Sequence, residues 1–108
     1  MPPFFRLIRL VVRSGDEATA KNECDKLRNL LDWLLETMPN QEERESIQIM
    51  GAAACLLTRI NNNFRYHILL KSKNLQSIRK LVKQMTKKME RLPRNTYLEI
   101  DTDPADLF

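Results

Sequence analysis

The sequence predicts an α+β domain of order β-α-β-β-α-β, a split β-α-β arrangement in which a four-stranded, mostly antiparallel sheet carries two helices on one face. Three observations predict it. Two segments place apolar residues at spacings of three and four, as helices buried along one stripe do. Shorter segments instead alternate apolar and polar residues or concentrate β-branched ones, as strands do. Gly15, Pro39, Asn61 to Asn63 and Pro93 fall between these segments, where turns and helix ends require them. With 108 residues, 43% of them hydrophobic, the chain has material for one core, so residues 1–108 read as a single domain.

Taken in order, Phe4 to Arg13 reads as a strand with Ile8, Leu10 and Val12 on one face and Leu7, Arg9, Val11 and Arg13 on the other. Ser14-Gly15-Asp16 is a turn. Helix one then runs from about Glu17 to Met38, its stripe formed by Cys24, Leu27, Leu30, Leu31, Leu34, Leu35 and Met38, and stops before Pro39. Trp33 lies off that stripe, with Lys26, Asn29 and Glu36, and an exposed tryptophan marks a contact surface. Residues 39–45 are a polar connection. Ile47 and Ile49 alternate with polar neighbours in a second strand that reaches Gly51, where a bend is expected. The run from Ala52 to Ile60 is compatible with helix or strand and leads into the asparagines of a hairpin turn. Phe64, Tyr66, Ile68 and Leu70 alternate with Arg65, His67, Leu69 and Lys71 in the third strand. Helix two runs from about Asn74 to Leu92 on the stripe Leu75, Ile78, Leu81, Val82, Met85, Met89 and Leu92, and Pro93 ends it. Tyr97 to Asp101 forms the last strand, with Leu98 and Ile100 inward.

Charge is the strongest functional signal. Between Arg65 and Arg94 stand ten cationic residues and a single acid, Glu90, although the whole chain carries a net charge of only +4. On a helical wheel Lys80, Lys83, Lys87 and Arg91 form one stripe opposite the apolar one, with Arg79 at its edge. A helix built for stability alone would place glutamates four residues before its lysines, and here like charges occupy those spacings. A solvated surface of long lysines is one reading of this face; the missing compensation points instead to an external anion, of which phosphate backbones are the commonest. If the strands pair in the inferred order, the sheet face away from the helices gathers Arg9, Arg13, Arg65, His67, Lys71 and Tyr97. That set suits base stacking and backbone tracking, or equally packing against protein. The candidate nucleic-acid contacts are Arg65, Lys71, Lys73, Lys80, Lys83, Lys87 and Arg91. The competing partner for a basic face is an acidic peptide.

Several functions are excluded or unsupported. Only two glycines are present, so no glycine-rich phosphate loop can be written. His67 is the only histidine, with no partner for a metal site or a catalytic pair, and reads as a strand-face residue. Cys24 and Cys55 sit in apolar-periodic contexts and read as buried thiols. Glu99, Asp101 and Asp103 read as a strand end with nearby cations rather than a cation site. Met85 and Met89 lie on the apolar stripe and fill the core. No apolar run approaches the roughly 20 residues of a membrane span, and Arg6 and Arg9 break any signal-peptide core. The expectation is a soluble, non-secreted, non-catalytic domain without a cofactor or metal.

The chain also resembles a known family. Pro2-Pro3-Phe4, a helix with Leu27-Arg28-Asn29-Leu30, a strand Ile49-Met50-Gly51, the segment from Phe64 to Ser72, and a closing Ile100-Asp101-Thr102-Asp103-Pro104 are similar, in order and spacing, to the C-terminal domain of the primosomal protein N′ (PriA) family of replication-restart DNA helicases. The resemblance covers essentially the whole chain. It implies a bacterial, cytoplasmic setting and a 3′-to-5′ helicase acting at stalled or abandoned forks, whose ATPase lobes and zinc insertion, with their ATP, magnesium and zinc, belong to the parent polypeptide. For this domain it implies binding of forked or branched DNA, docking on the helicase core, work with primosome proteins, and a pocket for the acidic C-terminal tail of single-stranded DNA-binding protein. By ungapped alignment that pocket falls at Leu75 and Arg79, where enterobacterial members carry arginine and glutamine. Ala52 also departs from the proline that often follows the glycine of the second strand.

Overall fold

The computed structural model describes residues 5–51, 58–60 and 63–102. Its elements are β1 (Arg6–Ser14), α1 (Glu17–Glu36), α2 (Gln41–Ser46), β2 (Gln48–Gly51), β3 (Thr58–Ile60), β4 (Asn63–Ser72), α3 (Leu75–Lys88) and β5 (Thr96–Thr102). The sheet order is β2-β4-β1-β5, and β3 pairs with β4 off that path. Every pairing among the described residues is antiparallel. The two long strands, β1 and β4, lie side by side at the centre, with Leu10 opposite Ile68 and Ile8 opposite Leu70. β2 meets β4 at Ile68 to Lys71 and β3 meets it at Asn63 to Arg65, so both border the same side of that strand.

The α+β class, the order of the long elements and the strand faces agree with the sequence reading. Ile8, Leu10 and Val12 are buried on the helix-covered side of β1, as are Ile68 and Leu70 of β4. Cys24, Leu27, Leu31 and Leu34 of α1, with Ile78, Leu81, Val82 and Met85 of α3, close the core over them. Most of the stabilisation lies in this layer: truncating Leu31 or Leu70, both with no exposed surface, to alanine costs about 2–5 kcal/mol. Each helix begins at a side chain that accepts from a first-turn amide. Asp16 receives the Thr19 N–H, Asn40 that of Glu43, and Asn74 that of Gln76. The Thr19 bonds also hold the Asp16 carboxyl below the usual range.

Four expectations change. The connection at 39–45 contains a helix, α2, because Asn40 caps it and Glu42 and Glu43 favour its N-terminal end. Part of the ambiguous run, Thr58–Ile60, is strand β3, with Ile60 opposite Asn63 as a hairpin requires. Residues 52–57, with Cys55, lie outside the described residues, as do Asn61 and Asn62 of the expected hairpin turn. Helix two ends at Lys88 rather than Leu92, because Met89 is already extended at φ −69°, ψ 147°. Apolar residues at helical spacing extended the expectation by a turn, but Met89 packs on the core in an extended conformation and Leu92, half-buried, borders a second groove with Leu27 and Leu30 of α1 while the chain turns back toward β5. That return uses Asn95 at φ 56°, a left-handed conformation that asparagine tolerates. Finally, Ile100 faces inward opposite Leu10, as expected, but is 43% exposed rather than buried. It lies on the edge strand, which has a neighbour on one side only.

Candidate nucleic-acid interface

α3 carries the cations that define the candidate site. Arg79, Lys80, Lys83, Lys87 and Lys88 are exposed, while Ile78, Leu81, Val82 and Met85 hold the opposite face in the core. Lys80, Lys83 and Lys87 share one line at steps of three and four residues. Lys87 and Lys88 occupy the last turn, where the carbonyl end of the helix favours positive charge. Lys80 Nζ lies 3.2 Å from Glu43 Oε1 of α2. Among the described residues no carboxylate comes within ion-pair distance of Lys83 or Lys87.

Beside this line lies a groove of about 560 Å³ between α3, the C-terminal half of α1 and the following connection. Trp33, Leu34, Met38 and Leu81 supply its apolar surface, and Lys80, Lys83, Lys87 and Lys88 its cationic side. Trp33 is 51% exposed, and Lys88 Nζ lies 5.9 Å from its ring centroid, within cation–π range. Sequence periodicity places Trp33 off the buried stripe. It contains no signal for the crossing of α1 and α3 that sets the indole beside Lys88, nor for the Glu43–Lys80 pair.

The sheet face is differently built. Arg9 and Arg65 reach across to β5, Arg9 Nη2 to Asp101 Oδ2 at 3.0 Å and Arg65 Nη2 to Glu99 Oε1 at 3.2 Å. Arg13 lies over the Tyr97 ring at 4.6 Å from its centroid, and Lys71 over Phe5 at 4.2 Å. Val11, between His67 of β4 and Glu99 of β5, is buried although it points away from the helices. Burial and, second, the Arg9 charge hold the His67 imidazolium below its usual value of 6.5. The carboxylates Glu99 and Asp101 serve as partners for arginine, and no group of three or more metal-ligating side chains occurs among the described residues. Asp103 lies outside them.

The candidate contacts therefore divide. Lys80, Lys83 and Lys87 form one site on the helical layer. Arg65 and Lys71 belong to the opposite sheet face, and Lys73 stands exposed in the β4–α3 connection. Arg91 is exposed beyond the end of α3, so it is not the fourth member of a continuous helical stripe. Leu75 is half-buried and Arg79 exposed one turn later, and neither lines the groove.

A family model described as the primosomal protein N C-terminal domain matches residues 1–105. The chain belongs to that family. Among curated relatives of this PriA C-terminal domain, the replication restart protein PriA of Borreliella burgdorferi is 31% identical over 107 residues, and that of Treponema pallidum 29%. Both alignments cover 99% of this chain and 15% of the relative, so the PriA C-terminal domain spans under one sixth of their length. Among solved structures it is similar to two de novo designed proteins. Foldit4 matches with a TM-score of 0.61 at 13% identity over 94% of this chain and 99% of that one. LFR1 1, designed with a ferredoxin fold, matches with 0.58 at 14% identity over 93% and 85%. At such identities the likeness concerns the fold alone. No helix among the described residues is long and apolar enough to cross a membrane.

Proposed function

We propose that this chain is a non-catalytic DNA-binding and docking domain of a bacterial replication-restart 3′-to-5′ helicase, holding forked or branched DNA through the lysines of α3. The observation that carries the reading is the exposed line Lys80, Lys83 and Lys87, of which only Lys80 meets a carboxylate among the described residues. Three aligned ammonium groups on a rigid helix neutralise successive phosphates and release their counterions without reading bases. ATP, magnesium and zinc chemistry, together with contacts to primosome proteins, belong to the parent polypeptide in the cytoplasm. The sheet face is the surface that docks on the helicase core, because its arginines are internally engaged and its exposed Tyr97 offers apolar contact area.

The test is binding of a labelled fork by the wild type and by Lys80→Glu/Lys83→Glu/Lys87→Glu at low salt. The expected outcome is a loss of affinity that is uniform across fork sequences, with the thermal midpoint retained. Equal binding by the triple variant overturns the assignment to α3.

A second reading has its own observation: half-buried Leu75 and exposed Arg79 sit one turn apart outside the groove, an apolar contact beside a cation. Such a pair suits an acidic peptide such as the tail of single-stranded DNA-binding protein. Titrating a labelled acidic peptide separates the readings, since Arg79→Ala should abolish peptide binding and leave fork binding nearly unchanged.

A further inference from the structure

We propose that the Trp33 groove takes an unpaired base of single-stranded DNA, stacked on the indole while its flanking phosphates lie along Lys83, Lys87 and Lys88. The inference rests on the DNA-binding reading and names the form of DNA that this face prefers.

The groove offers a platform rather than a hole. Trp33 is 51% exposed, whereas its apolar neighbours Leu34 and Leu81 are only 7% and 1% exposed, already committed to the core. An anchoring peptide side chain gains most from a concave apolar pocket that it can fill. A nucleobase needs only a flat π-face with cations beside it. The lysines are on the correct side for that purpose: all three line the groove with Trp33. Lys83 and Lys87 stand one turn apart, about 6 Å along the axis, a step that one extended nucleotide spans. The far end of the groove differs, because Glu43 lies 3.2 Å from Lys80 and repels a phosphate there. The charge pattern thus directs a strand toward the Trp33 end. A base inside a duplex is stacked on both faces and cannot reach the indole, so duplex DNA would meet the lysines alone.

Because the chain has a single tryptophan, its intrinsic fluorescence reports on Trp33. The 108-residue chain is titrated with a single-stranded oligothymidylate and with a hairpin-closed duplex of equal charge. Quenching by the single strand and little change with the duplex are expected. By anisotropy, Trp33→Ala should lower single-strand affinity about 10-fold, the effect of losing one stacked base, and leave duplex affinity unchanged. Trp33→Phe should restore part of the loss, which a purely structural role for the indole would not explain. If both DNAs bind without quenching and Trp33→Ala binds like wild type, the stacking inference is overturned while the DNA-binding reading stands. If neither DNA binds at low salt, both are overturned. Quenching by an oligo-aspartate peptide carrying one phenylalanine, but not by oligothymidylate, overturns the inference in favour of a peptide occupant.

Discussion

On the open sheet face Arg9 and Arg65 each meet a carboxylate of β5 and Arg13 lies over Tyr97, whereas on α3 Lys83 and Lys87 project beside a half-exposed tryptophan with no acid in reach among the described residues. The two surfaces carry comparable positive charge. What differs is where the counter-charge comes from. Cross-strand pairing brings Asp101 opposite Arg9 and Glu99 next to Arg65 within the fold, so an incoming polyanion would have to displace bonds already made. Among the described residues α3 has one such neighbour, Glu43 at Lys80, so the field of its remaining lysines is available to a ligand. A count of arginines and lysines therefore says little about a binding face until the acids opposite them are located.

The comparison can be broken most severely by moving the charge. Lys83→Glu/Lys87→Glu should reduce fork affinity about 100-fold at low salt and flatten the slope of log affinity against log salt by about 0.7–0.9 per lysine. Arg9→Gln/Arg65→Gln, which removes both paired arginine charges from the sheet face, should change that slope little, and a salt titration of both variants checks it. The next effect is the converse. Glu99→Gln/Asp101→Asn should free the sheet arginines and raise non-specific DNA affinity several-fold, with a loss of stability of at most about 1 kcal/mol per pair, because both pairs are partly exposed. Urea unfolding and anisotropy together read both. Smaller still, Glu43→Gln should release Lys80 from its single acid and strengthen fork binding about twofold, at a stability cost below about 1 kcal/mol.

The smallest effect tests the sheet face alone. His67 is held below its usual value by burial first and by Arg9 second, so the fold favours the neutral ring. The unfolded chain binds the proton more readily, and stability linked to His67 is complete above pH 6.5 and lost as the pH falls through the lower folded value. Urea midpoints measured from neutral pH to about pH 5 should fall slightly, and His67→Gln should remove that component. The Asp16 carboxyl, held below its usual 3.8 by Thr19, acts in a separate and more acidic window: its contribution is present above 3.8 and disappears as the pH falls through its depressed value.

Much of this was legible in the residues themselves. Alternation put Ile8, Leu10 and Val12 on one face of β1 because successive side chains of a strand point to opposite sides, and the register bears that out. The apolar stripe of α3 located its lysines on the far side for the analogous helical reason. Local patterns were less informative at boundaries. Met89 and Leu92 keep the helical spacing after the helix has ended, both half-buried, and spacing cannot tell a partly buried turn from a further helical one. α2 was missed because six polar residues have no apolar stripe; its signal was the Asn40 cap and the acids after it.

By itself, then, the sequence determined the class of fold, the faces of the long strands and the line of cations on α3, all of which follow from the short periodicities of a single segment. Tertiary structure decided which charges remain available and which apolar surface accompanies them. Arg9 and Asp101 are 92 residues apart, and Lys80 and Glu43 are 37 apart. Trp33 joins Lys83, Lys87 and Lys88 only where α1 and α3 lie side by side. Electrostatic compensation and stacking act through space over a few ångströms, and distance in space is set by strand register and helix packing rather than by periodicity along the chain.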